Sequence, residues 1–223
     1  MNTTTVRTRF VLILALLVFA TFAATSSTLA CVVGTGTSAS CTEAALDACL
    51  PGGGSFDGTV TFACGGAATI TVTNAKTISA DTTIDGGSVI TISGSGNAVG
   101  VLSVNSGVTF TVENLTVTNG HTRGAITNGG TLTVTNCTFL ANSADGDGGG
   151  AIFNSNTVLE DGTVVVATLT VTNSTFSGNS ASSSGLGGFG GAIRNGGTLT
   201  VTDSVFCGNS APAAGLSTTP AAR

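Results

Sequence analysis

The chain has 223 residues, six of them basic and eleven acidic, a formal net charge of −5, and no Trp or Tyr. Beyond residue 30 only Lys76, Arg123, Arg194 and Arg223 are basic, while all eleven acidic residues remain. Without a basic cluster to neutralise phosphates, or Trp and Tyr to stack on bases, nucleic acid is excluded as a partner.

Arg7 and Arg9 precede an apolar run from Phe10 to about Ala24, and Ala30 supplies a small residue at a cleavage point. Residues 1–30 therefore read as a secretory signal, with an apolar run short for a membrane span. A retained membrane anchor is one alternative. Lipid attachment at Cys31 is another, although Thr28 stands where bacterial lipidation usually wants Leu. The remaining 193 residues suffice for one domain with a core. Six cysteines in an exported chain point to disulfides.

Residues 31–57 form a lead-in and cap. Cys31 to Ser40 is rich in Gly, Thr and Ser and reads as mobile, whereas 42–50 (T-E-A-A-L-D-A-C-L) predicts a short helix. Thr42 can cap it, Glu43 and Asp47 suit its N-terminal side, and Pro51 with Gly52 to Gly54 ends it. Ala45, Leu46 and Cys49 share one face, which wants an apolar surface beneath it. From Gly58 the pattern changes to short β runs: Thr59 to Ala63, Thr69 to Thr73, Thr83 to Ile84, Val89 to Ile92, Val99 to Val104, Val108 to Val112 and Leu115 to Thr118.

Three near-copies of one phrase follow. Residues 124–139 read G-A-I-T-N-G-G-T-L-T-V-T-N-C-T-F, and 191–206 read G-A-I-R-N-G-G-T-L-T-V-T-D-S-V-F. A split copy lies between them, Gly150 to Asn154 and then Ala167 to Phe176, and each copy ends in F-x-x-N. In L-T-V-T, Leu and Val share one face of a strand while Thr takes the other. Copies of one phrase favour a self-stacking chain over a sandwich of hairpins. The expectation is an all-β chain, a parallel β-helix solenoid of about six or seven coils over residues 58–210 with the helix capping its first coil. Residues 143–149, 154–166 and 180–190 are then loop insertions, and 211–223 is a disordered tail. Like residues should stack in ladders: Ile126, Ile152 and Ile193; Leu132, Leu169 and Leu199; Phe139, Phe176 and Phe206. Asn128, Asn154 and Asn195 should form a corner ladder. Asn114, Asn136 and Asn173 begin N-x-T sequons but recur in phase with the repeat, so turn geometry explains them.

Gly149 to Ile152 with Phe176 to Asn179, and Gly190 to Ile193 with Phe206 to Asn209, resemble the repeats of polymorphic outer-membrane proteins. Cys41 to Leu46 is similar to the C-S-L-R-E-A-I phrase of bacterial surface proteins, without the Arg and one residue shorter, and Thr77 to Gly86 resembles their first-coil phrase. The resemblance implies the right-handed, pectin-lyase-like β-helix and a location at the outer membrane, at the cell surface or in the medium. The C-terminal membrane barrel of such proteins is not evident before Arg223, so a truncated autotransporter-like passenger is a further reading.

Chemistry is sparse. Asp145 and Asp147 sit in a Gly-rich D-G-D-G-G-G insertion that could hold Ca²⁺, although it lacks regular ligand spacing and a flexible turn is favoured. Asp203 replaces the repeat Asn and reads as a turn residue, and Arg194 occupies a variable, solvent-facing position. His121 lacks the setting of a polygalacturonase histidine. No catalytic, cofactor or metal residue is assigned, so the expectation is a non-enzyme without cofactors. A helix at 42–50 separates Cys41 from Cys49 by about 12 Å, which forbids a bond between them. Cys64 is the better partner for Cys41, which leaves Cys31 and Cys49 as a weaker pair. Cys137 and Cys207 lie two copies apart and should not bond. The reading is an exported structural or adhesin-like module, with surface glycans or envelope proteins as candidate partners. A carbohydrate-binding or carbohydrate-cleaving protein is the alternative.

Overall fold

Parallel pairing between successive copies of the repeat organises the chain. The structure is a computed structural model and describes residues 30–95, 99–146, 148–182 and 190–211. Most of the leader, Asp147 and all but the first residue of the tail lie outside them.

The chain opens with β1 (Cys31–Val33), a 3-10 turn (Ser38–Ser40) and α1 (Glu43–Cys49). The lead-in expected to be mobile is thus ordered, because β1 pairs in parallel with β2 (Thr59–Phe62). The Thr42 hydroxyl accepts from the Ala45 amide, capping α1. Next come β3 (Ala68–Val72), β4 (Lys76–Ile78), β5 (Thr82–Gly94), β6 (Leu102–Val104) and β7 (Thr109–Thr118). The repeats supply β8 (Ile126–Asn128), β9 (Thr131–Thr135), β10 (Thr138–Leu140), β11 (Ser143–Asp145) and β12 (Ile152–Asn154). An antiparallel hairpin follows, β13 (Thr157–Val158) and β14 (Val164–Val165). The last strands are β15 (Thr168–Thr172), β16 (Thr175–Ser177), β17 (Ser180–Ser182), β18 (Ile193–Asn195), β19 (Thr198–Thr202) and β20 (Val205–Cys207).

Registers place like residues side by side. One row runs Cys31, Val60, Ile84, Val112, Val134, Val171, Val201 across seven strands. A second joins Ile70, Ile92, Val117, Phe139, Phe176 and Phe206. A third, in the sheet β4-β6-β8-β12-β18, joins Lys76, Leu102, Ile126, Ile152 and Ile193. Between the two ends of the molecule these rows are fully buried, so alternate residues form one core while Thr occupies the opposite face. Two expected insertions begin as strands, because β11 and β17 pair in parallel before the chain departs from the repeat.

Candidate functional site

Three polar systems are built on this frame, and two serve the frame itself. Asn128 donates to Asn154 Oδ1 at 2.7 Å, and Asn154 donates to Asn195 Oδ1 at 2.6 Å. A second buried ladder, which ends the F-x-x-N phrase, joins Asn142, Asn179 and Asn209 at 2.9 and 2.8 Å. Asn142 and Asn179 are almost wholly buried, so these contacts satisfy groups that would otherwise be costly to bury. The sequon residues Asn114, Asn136 and Asn173 adopt φ of 52°, 53° and 47° and are joined side chain to side chain. Asp203, at φ 48°, occupies the equivalent turn.

The second system clamps the cap. Lys76 begins an aliphatic row, and its buried ammonium reaches Glu43 Oε1 at 2.6 Å and Asp47 Oδ1 at 2.8 Å. Burial works to raise the Glu43 pKa, but hydrogen bonds from Lys76 and Thr73 and the Lys76 charge hold it below 4.5. Burial works to lower that of Lys76, but hydrogen bonds to Asp47 and Glu43, and their charges, hold it above 10.5. Disulfides join Cys41 to Cys64 and Cys31 to Cys49. Cys137 and Cys207 are both free. Cys137 is buried, and burial pushes its thiol up to about 11, which leaves it unreactive near neutral pH.

The third system is a cleft of about 440 Å³ beside β8 and β12, lined by Asn105, Arg123, Asn128, Phe153, Asn156 and Val158 among others. Phe153 stands in the outward row Ser103, Thr127, Phe153, Arg194. The Arg123 and Arg194 guanidinium carbons lie 5.5 and 5.2 Å from its ring centroid. Arg194 is half-buried on this outward row, where the ring gives it a surface to pack on. This cluster is scattered in sequence over residues 123, 153 and 194, and no motif announced it.

Hydrolytic chemistry would need two carboxylates flanking a substrate cleft. Asp145 instead accepts from Ser182 at 3.1 Å and lies 3.5 Å from His121 Nδ1, which has no hydrogen-bond partner among the described residues. Asp85 and Glu113 pair in register on an open sheet face outside the cleft, and Asp85 caps its own turn through the Gly87 amide. Among the described residues no three His, Cys, Asp or Glu side chains gather to hold a metal ion, and Asp147 lies outside them. Within the same residues no helix is long and apolar enough to cross a membrane. No family model, curated protein or solved structure matches the chain.

Proposed function

We propose that the chain is an exported, non-enzymatic right-handed parallel β-helix, related to the polymorphic outer-membrane repeat proteins, that serves as a structural or adhesin-like module in the medium or at the cell surface. The observation that carries this reading is where the polar side chains are spent. The two buried Asn ladders and Lys76 stabilise the scaffold, while the outward positions are mostly Thr, whose hydroxyl is a poor nucleophile without an adjacent base. Rows of like residues in parallel register support the solenoid, and two disulfides near the N-terminus support an oxidising destination. Fractionation of the source cells with a tagged copy, followed by intact-mass measurement, tests export. Recovery in the cytoplasm with residues 1–30 attached would sink it.

The cleft favours a second reading, carbohydrate binding. Arg123 offers a charged fork, Phe153 an apolar plane, and Asn105 and Asn156 offer amides, a set suited to an acidic sugar. Titration with acidic oligosaccharides tests it, and binding that survives Arg123→Ala and Phe153→Ala together removes this cleft from consideration.

A further inference from the structure

Across β7, β9, β15 and β19, eleven of the twelve outward positions in 109–113, 131–135, 168–172 and 198–202 are Thr, and the twelfth is Glu113. All twelve are exposed or half-buried, and the strands pair residue for residue without a register shift. On the adjoining sheet face the Phe139, Phe176 and Phe206 rings stack at 4.8 and 4.7 Å with interplanar angles of 3°. Successive copies are therefore related there by near-pure translation, without the usual twist between strands. Along a strand the Thr side chains recur about every 6.6 Å, and across strands about every 4.8 Å.

We propose that this threonine array is a binding surface for crystalline water, the face of an ice crystal. The spacing across strands lies near the a repeat of hexagonal ice, and the spacing along a strand falls about a tenth short of the c repeat. A single hydroxyl gains little from ice over liquid water, so recognition requires many groups that match the lattice together. Thr suits the task because its methyl excludes disordered water, its hydroxyl anchors an ordered one, and its branched Cβ restricts rotation before contact. Charge would order water in a competing geometry, and the array holds one carboxylate, at its edge. Among the described residues none of the eleven hydroxyls donates a side-chain hydrogen bond to protein. The inference stands on strand registers and needs neither the export nor the handedness proposed above.

Ice-affinity partitioning of the purified, oxidised chain tests it, with an unrelated protein of similar mass as the reference. The chain is expected to concentrate in slowly grown ice several-fold over the reference and to facet single crystals. Thr170→Lys, at the centre of the array, lowers that enrichment about tenfold, as loss of one central contact residue does. Thr170→Ser, which keeps the hydroxyl and the fold, lowers it less. Thr77→Lys, on the exposed middle of β4 in another sheet, leaves it unchanged. Circular dichroism shows whether each variant keeps its strands. Exclusion of the wild-type chain from ice, equal losses in the Thr170 and Thr77 variants, or retention on crystalline cellulose in place of ice would each overturn the proposal.

Discussion

The two ends of the described chain present the same kind of row to very different surroundings. At the start, α1 lies against β1 and β3, Leu46 and Leu50 are buried, two disulfides tie the cap down, and Lys76 joins it to β4. At the finish, β19 and β20 repeat the phrase of β15 and β16, yet Val201 and Phe206 are 42% and 45% exposed where Val171 and Phe176 are fully buried. Val and Phe recur at both places, and among the described residues no further row follows β19 and β20. Burial in this molecule therefore comes from a neighbouring copy, and a first row without one needs a dedicated cover.

That difference can be broken most forcefully at the disulfides. Each closes a loop of about twenty residues, and replacing both pairs by Ser should cost roughly 3 kcal/mol per bridge, read from urea midpoints. Equal stability of the oxidised and substituted chains would erase the asymmetry. Leu46→Ala should cost about 3 kcal/mol and Leu199→Ala no more than about half of that, because the second side chain is already partly in water. Similar losses would mean that the finish is as well covered as the start. Lys76→Met keeps the aliphatic stem but leaves Glu43 and Asp47 without their cation. A loss of about 1–2 kcal/mol is expected, modest because Asp47 is nearly half exposed.

The smallest effect is in pH. The Glu43 carboxyl is held below its ordinary 4.5, so its contribution is present above that value and is lost as pH falls through the lower folded one. Lys76 is held above 10.5, so its contribution is complete below that value and is lost as pH rises through the higher folded one. Melting temperatures of the wild type should decline at both extremes, and Lys76→Met should flatten both limbs. Identical profiles for the two proteins would remove the clamp from the account.

Much of the frame could be read from residues alone because the repeat states it several times. The Ile, Leu and Phe triplets chosen from the phrase lie side by side in parallel strands, and Asn128, Asn154 and Asn195 hydrogen-bond in sequence. The short helix was legible for a local reason, a Thr cap followed by a Pro-Gly stop. Features that occur once carry no such signal. Lys76 in N-A-K-T carries no local sign of the two carboxylates, about thirty residues earlier, that fold over it. Phe153 and its two guanidinium partners come from separate parts of the chain, so no single copy of the phrase displays the cluster. The lead-in, rich in Gly, Thr and Ser, read as mobile because its order depends on strand pairing with β2 and on disulfides, both nonlocal.

The spacing between equivalent strands has a practical consequence. Thr109, Thr131, Thr168 and Thr198 stand side by side although 22, 37 and 30 residues separate them in turn. The longest of these steps contains the β13–β14 hairpin, whose exposed Val158 and Val164 leave the paired rows on either side undisturbed. Chain length is therefore free to vary at that corner while the rows keep their register. A foreign peptide grafted between residues 158 and 164 would ride outside the stack, which makes this molecule a natural display frame.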